Sequence, residues 1–440
     1  KKSNSRGNGQ VLVPNAVPLL QRATVGLIYR YITHDDPDWM LPRNFETITG
    51  DNSSGEEGVV DAESISLASS EEGETIPATT KGDYTSPSSS SNSYTSVGGL
   101  LDAYLGSIVR IRMIILAQSR SIWFVLPRWC YRFFSSLYRD EERTLGPIRD
   151  FARTACKSAK PQSPLHKLST TEGPYCCANL TSTTDNSAAA SNLERRNKNL
   201  IDEAITLLFA GQDTSAATLS WTLHLLSLYP KVQEKLACEV QKVFEEEIMS
   251  DTDSKLTGAE KVPFVSKKVI SKMTYLDAVI KESMRLYPVA PFIVRRLTED
   301  VTLPGTSPDA RTISLPSGAV ACIWIYALHR NPEQWARPDD FIPERWMDAD
   351  LKDPGQINGT YMPFASGPRN CVGQPLAHII LRTLLSKLVY QYEFIDPKLG
   401  TASDAKDLRK DMQAGFTVLP TGGVELIIKQ RKSSSKGKQN

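Results

Sequence analysis

Phe364-Ala365-Ser366-Gly367-Pro368-Arg369-Asn370-Cys371-Val372-Gly373 is the stretch whose reading decides the fold. Two glycines flank one cysteine, and the apolar periodicity that begins at Gln374 places a helix immediately after it. Glycine lets backbone pass close to a bulky group and take up positive φ. A helix N-terminus presents free N–H groups that favour a thiolate. Arg369 can pair with a carboxylate. The chemistry that uses all three features is a metal-bound thiolate, tuned by N–H···S hydrogen bonds, beside a cofactor that carries acidic groups. The plain alternative is a structural cysteine buried in a glycine turn. That alternative suits a lone Cys-x-Gly better than it suits the ten residues together.

Outward from this stretch, two further patterns carry chemistry. Residues 267–286 read as one helix, stopped before Pro288, and Glu282 and Arg285 share a face of it at a spacing that allows pairing. Surface helices are full of such pairs, so this one decides nothing alone. Residues 197–228 read as a long helix that is apolar on more than one side, which belongs inside a core. Midway along it lies Ala210-Gly211-Gln212-Asp213-Thr214-Ser215. Asp and Thr are poor helix formers in such a place, and a threonine hydroxyl can bond back to a carbonyl and distort the helix, with Gly211 leaving room beside it. A solvent-facing polar stripe is the alternative.

The ten-residue stretch resembles the haem-binding loop of the cytochrome P450 family, in which Phe-x-x-Gly-x-Arg-x-Cys-x-Gly surrounds the axial cysteine. The rest of the family's signature lies upstream in the same order. Pro343-Glu344-Arg345-Trp346 is similar to the family's Pro-Glu-Arg motif, with Trp346 where Phe is commoner. The resemblance implies haem b held by Cys371, with Phe364, Gly367, Arg369 and Gly373 around it and Arg295 on a propionate. It implies that Glu282, Arg285 and Arg345 form a buried structural triad, since buried charge is tolerable only when paired. It gives Thr214 a hydrogen bond to dioxygen and Asp213 a part in relaying protons. It implies an apolar pocket lined by Ile205, Phe209, Gly211, Val289, Phe292, Ile293 and Phe416, each of which also reads as ordinary core packing.

The fold implied is mainly α with small β-sheets, an α+β arrangement, as one haem-thiolate domain over 97–428. The activity implied is a monooxygenase that hydroxylates an apolar small molecule such as a lipid, fatty acid, carotenoid or terpenoid, using O2. Electrons would come from NADPH through a separate cytochrome P450 reductase, or from a ferredoxin, because the chain has no Gly-x-Gly-x-x-Gly loop. Gly-Pro-Arg-Asn-Cys-Val-Gly-Gln looks most like eukaryotic members. The resemblance further implies a monomer at the cytosolic face of the endoplasmic reticulum membrane, with a plastid as the other compartment. Two other functions compete: a degenerate haem-binding protein without activity, and a haem-thiolate isomerase or dehydratase. The second is disfavoured by the presence of both Asp213 and Thr214.

Composition agrees. Among 440 residues, 51 are basic and 50 acidic, a net charge of +1 that argues against a nucleic-acid partner. Seven cysteines, an odd and small number, argue against a disulfide scaffold. No run of 18 apolar residues is present. Residues 1–43 read as a divergent N-terminal remnant. Residues 44–95 are acidic and serine-rich and read as a disordered insert. Residues 157–196 read as a flexible insert and 429–440 as a basic tail. A buried strand is expected over 317–325. A terminal hairpin is expected over 416–429, turning at Gly422-Gly423.

Overall fold

Stretches with a period of 3.6 dominate the chain and short apolar runs fill the gaps between them, and the computed structural model turns them into helices and short strands respectively. It describes residues 5–6, 10–35, 97–119, 121, 126–170, 186–250, 266–303, 312–347, 353–357, 359–399, 408–413 and 417–431. In chain order these form β1 (Ser5–Arg6), β2 (Gln10–Val13), α1 (Val17–Thr33), α2 (Val97–Ser119), α3 (Arg128–Phe134), α4 (Ser136–Ser158), α5 (Pro164–Thr170), α6 (Asn186–Leu228), α7 (Pro230–Ser250), α8 (Lys267–Ser271) and α9 (Thr274–Leu286). Then follow β3 (Ile293–Arg296), β4 (Val301–Leu303), β5 (Ile313–Leu315), β6 (Val320–Ile323), α10 (Ile325–Leu328), a 3-10 turn (Pro343–Trp346), α11 (Pro354–Ile357), α12 (Gln374–Gln391), β7 (Tyr392–Ile395), β8 (Met412–Gln413), β9 (Leu419–Pro420) and β10 (Leu426–Gln430). The fold is thus mainly α with small sheets. Among the described residues no helix is long and apolar enough to cross a membrane.

Contacts divide the chain into two compact units, Lys1–Thr24 with Gly211–Asn440, and Val25–Ala210. In the first, the all-round apolar part of α6 buries Leu219, Trp221, Leu223, Leu225 and Leu226. Each full burial of such an aliphatic side chain stabilises by about 2 kcal/mol. Ten of the thirteen residues of α9 are buried as well, and α7 and α12 pack against it. A four-stranded antiparallel sheet, β1-β2-β10-β7, closes this core, with Ile427 opposite Leu12 on one side and Ile395 on the other. In the second unit α2 lies along α4. Phe151 stacks on Tyr104 at 4.5 Å and meets Tyr29 at 5.7 Å, and the small, fully buried Ala152 and Ala155 allow the approach.

Several expectations change. The helix expected over 267–286 is two, because Met273 leaves helical geometry (φ −92, ψ 82). The apolar pattern continues across the break, since Met273 is buried, so periodicity does not show it. The Glu239 carboxylate caps the restart by accepting from the N–H groups of Tyr275 and Leu276, both at 2.8 Å. The terminal hairpin does not form: β9 pairs with β8, and β10 pairs with β2 and β7. Gly422 and Gly423 do turn the chain at positive φ, but a Cβ on Gly423 would lie 2.3 Å from Asn15 Oδ1, so the turn is fitted to the N-terminal segment. The strand expected over 317–325 is β6, and it is exposed, with Val320 66% and Ile323 37% accessible; among the described residues it pairs with β3.

Within the 1–43 segment, Val13, Ala16, Val17 and Leu20 belong to the main core. The 157–196 segment is not loop throughout: it contains α5 and the start of α6, while 171–185 lies outside the described residues, as does 44–95. The tail begins as structure, with Lys429 and Gln430 in β10 and Lys429 paired with Glu393 at 2.8 Å.

Candidate active site

Cys371 stands on a loop whose conformation is held by its own backbone. Its N–H donates to the Phe364 carbonyl at 3.0 Å, and the Ala365 and Asn370 N–H groups close tight turns onto Met362 and Gly367 at 3.0 and 3.1 Å. Gly367 sits at φ +84 and Ala365 at φ +62, the left-handed region that costs a residue with a Cβ about 1 kcal/mol or more. The thiol is exposed and unbridged, directly before the N-terminus of α12, whose N-cap is Gly373. A Cβ on Gly373 would lie 3.8 Å from the sulfur, so glycine there keeps that flank of Sγ open. Among the described residues, the N–H groups of Val372 and Gly373 donate to no protein acceptor. An accessible cysteine sulfur beside two uncommitted N–H donors is the set that a thiolate-ligated haem iron uses, so these residues fit that group.

Phe364 packs on the His378 ring at 5.1 Å. Arg369 is exposed. Arg295 and Arg296 are exposed on β3, opposite Ala321 and Val320, and the Arg295 guanidinium donates to its neighbour's carbonyl at 2.9 Å.

Behind the loop lies a buried charge cluster. The Glu282 carboxylate accepts five hydrogen bonds: from Arg285 Nε (2.9 Å) and Nη2 (2.8 Å), Arg345 Nε (3.1 Å), the Ile342 N–H (3.0 Å) and the Trp346 indole N–H (2.9 Å). Arg285 spends its other donors on the carbonyls of His329, Pro338 and Asp340. Arg345 reaches Asp353, whose other oxygen accepts from the Ala336 N–H. Glu282, Arg285, Arg345 and Asp353 together are neutral and nearly or wholly buried. The expected triad is therefore a tetrad with an indole attached. Sequence reasoning missed Asp353, which carries no motif. It noticed Trp346 only as a departure from the family pattern, and the indole N–H is what that departure supplies.

His329 joins the cluster to the loop. Its Nδ1 lies 3.2 Å from the Arg285 carbonyl, and its Nε2 accepts the Met362 N–H at 3.0 Å. Those partners require the neutral ring with the proton on Nδ1. Burial pushes its pKa down to about 3, which keeps it neutral.

Asp213 and Thr214, adjacent in sequence, occupy different surroundings, as a step of 100° around a helix dictates. Asp213 is 1% exposed and accepts hydrogen bonds from Thr417 Oγ1 and Gln21 Nε2, whereas Thr214 is exposed. Side chains bond back to the helix along this stretch: Thr218 Oγ1 donates to the Thr214 carbonyl at 2.9 Å, and Ser220 and Thr222 make the same kind of bond. Of the expected pocket residues, Val289 is buried and its carbonyl accepts the Val418 N–H at 3.1 Å. Gly211 and Ile293 are half-buried and Phe292 is exposed. Ile205 and Phe209 are half-buried on the part of α6 that belongs to the Val25–Ala210 unit. Phe416 lies outside the described residues.

Comparison with known proteins bears on this geometry. A family model described as Cytochrome P450 matches residues 102–421. Similar curated proteins include Cytochrome P450 4c3 of Drosophila melanogaster, 32% identical over 53% of this chain and 38% of that protein. Cytochrome P450 3A6 of Oryctolagus cuniculus is 34% identical over 44% of this chain and 34% of that protein, and Cytochrome P450 4V2 of Homo sapiens 30% identical over 53% and 39%. The matched stretches thus span under two fifths of each relative's length. A crystal structure of a cytochrome P450 shares the fold with a TM-score of 0.53 at 20% identity, covering 74% of this chain and 61% of that one.

Proposed function

Because the chain belongs to the cytochrome P450 family, whose members hold haem on a cysteine thiolate, we propose that it is a haem-thiolate monooxygenase with Cys371 as the iron ligand. The observation that carries this reading is the exposed Cys371 thiol on a loop tied through His329 to a neutral buried cluster. A haem bound there supplies activation of dioxygen and transfer of one oxygen atom into a C–H bond, the other atom leaving as water with uptake of two electrons and two protons. Phe364, Gly367 and Gly373 shape the loop around that group. Exposed Arg295 and Arg369 supply cations for its propionates. The Val372 and Gly373 N–H groups hold the thiolate's charge. Thr214, with its hydroxyl on the accessible side of α6, hydrogen-bonds dioxygen, and Asp213 feeds protons towards it.

Val289, Phe292, Ile293 and Gly211 offer an apolar small molecule its contacts, which suits a lipid, fatty acid, carotenoid or terpenoid. The electrons come from NADPH through a separate reductase or from a ferredoxin, at the endoplasmic reticulum membrane or in a plastid, and the protein acts as a monomer.

The test is the spectrum of reduced, haem-supplemented protein under carbon monoxide. A red-shifted thiolate Soret band is expected, and Cys371→Ala should abolish it while leaving the circular dichroism unchanged. Folded wild-type protein without that band would overturn the reading. Substrate-dependent NADPH consumption with an added reductase excludes a haem-binding protein without activity.

A further inference from the structure

We propose that Thr417 and Gln21 are positioning residues that set the orientation of the Asp213 carboxylate, Thr417 being the stronger of the two. This rests on the reading of Asp213 as the proton-relay acid. The Thr417 hydroxyl donates to Oδ2, and Gln21 Nε2 reaches Oδ1 at 3.5 Å. All three side chains are buried, with Asp213 1%, Gln21 7% and Thr417 8% exposed. A buried carboxylate keeps the rotamer its donors dictate, because turning away forfeits hydrogen bonds that no water replaces.

Both donors are themselves fixed to the helix they serve. Val418, next to Thr417, has its N–H on the Val289 carbonyl (3.1 Å) and its carbonyl on the Trp221 indole N–H (2.9 Å). Trp221 lies eight residues beyond Asp213, about two turns along α6. Its ring stacks on Tyr287 at 3.9 Å and 2°, so the anchor is rigid. On the other side, Thr24 Oγ1 lies 3.1 Å from the carbonyl of Gln212, and this seats α1, with Gln21 on it, at the turn that carries Asp213. The acid is thereby held inward while Thr214 beside it faces outward. The orientation this clasp imposes on Asp213 governs how well proton delivery keeps pace with oxygen consumption.

The experiment uses the full chain loaded with haem. Infrared spectroscopy locates the Asp213 carboxyl band by its loss in Asp213→Asn, and the product formed per NADPH is measured in parallel. Thr417→Val removes the donor and keeps the shape. It should shift the band and lower product per NADPH by about fivefold, the equivalent of about 1 kcal/mol for one hydrogen bond. Thr417→Ser should restore both, and Thr417→Val should add nothing in the Asp213→Asn background. If Thr417→Val only lowers the melting temperature, with band and coupling unchanged, the inference is overturned. If Asp213→Asn leaves coupling untouched, the relay reading fails by itself. The band shift in Thr417→Val then decides the positioning role alone, its presence supporting that role and its absence refuting it.

Discussion

The Glu282 cluster and the Cys371 loop carry the two clearest motifs, yet they solve opposite problems. At the cluster, charges are taken out of water, so every lone pair and proton must find a partner inside the protein. Glu282 and Arg285 have side chains of zero exposure, and each makes several hydrogen bonds. At the loop, side chains are presented outward: Cys371 is exposed and Val372 is 93% accessible. The loop's order comes from backbone bonds and from glycine at positive φ. The comparison teaches that stability is concentrated behind the loop, leaving the Cys371 thiol accessible.

The comparison breaks first at the cluster. Glu282→Ala leaves two buried arginines short of their carboxylate and should cost about 3–5 kcal/mol, read as a fall in the urea midpoint and a failure to load haem. Retained stability would mean that Asp353 balances both cations.

Acid should sharpen the contrast next. Burial lowers the pKa of His329 to about 3 and that of His224 to about 4, below the roughly 6.5 expected of the unfolded chain. A depressed histidine binds its proton in the unfolded state first. The stability it contributes is therefore fully present above pH 6.5 and is lost as pH falls towards 4 and 3. Between pH 7 and 5 each histidine should cost about 2 kcal/mol of unfolding free energy. Denaturant titrations across that range test it, and His329→Gln and His224→Gln should each flatten the slope.

At the loop, Gly367→Ala should cost about 1–2 kcal/mol from backbone strain alone, since φ is +84 and nothing lies within 4 Å of the added Cβ. The same melt on Gly373→Ala, at φ −82, should show no strain of that kind. The smallest effect is expected for Trp346→Phe, which restores the commoner residue and removes one of five donors to Glu282. It should cost about 1 kcal/mol.

Much of the candidate site is marked in the sequence by local chemistry. A cysteine between glycines ahead of a helix, an i, i+3 ion pair and an Asp-Thr step inside an apolar helix stand out against their surroundings. Asp353, Gln21 and Thr417 could not be read this way. Each is an ordinary polar residue until a partner 8, 192 or 204 positions away gives it a role. The same holds for β10, whose apolar run Leu426-Ile427-Ile428 announces a strand and leaves open whether β9, β2 or β7 lies beside it.

The sequence by itself determined the family, the helix-dominated fold, the ligand cysteine to propose and the identity of three of the four buried charges, because each is written in residues close together in the chain. Only the tertiary structure decided how those charges are satisfied, that His329 links them to the cysteine loop, that Asp213 faces inward while Thr214 faces outward, and that the N-terminal segment completes the core. Burial and hydrogen-bond completion are properties of what surrounds a residue, and surroundings assembled from distant segments leave no local pattern in the chain.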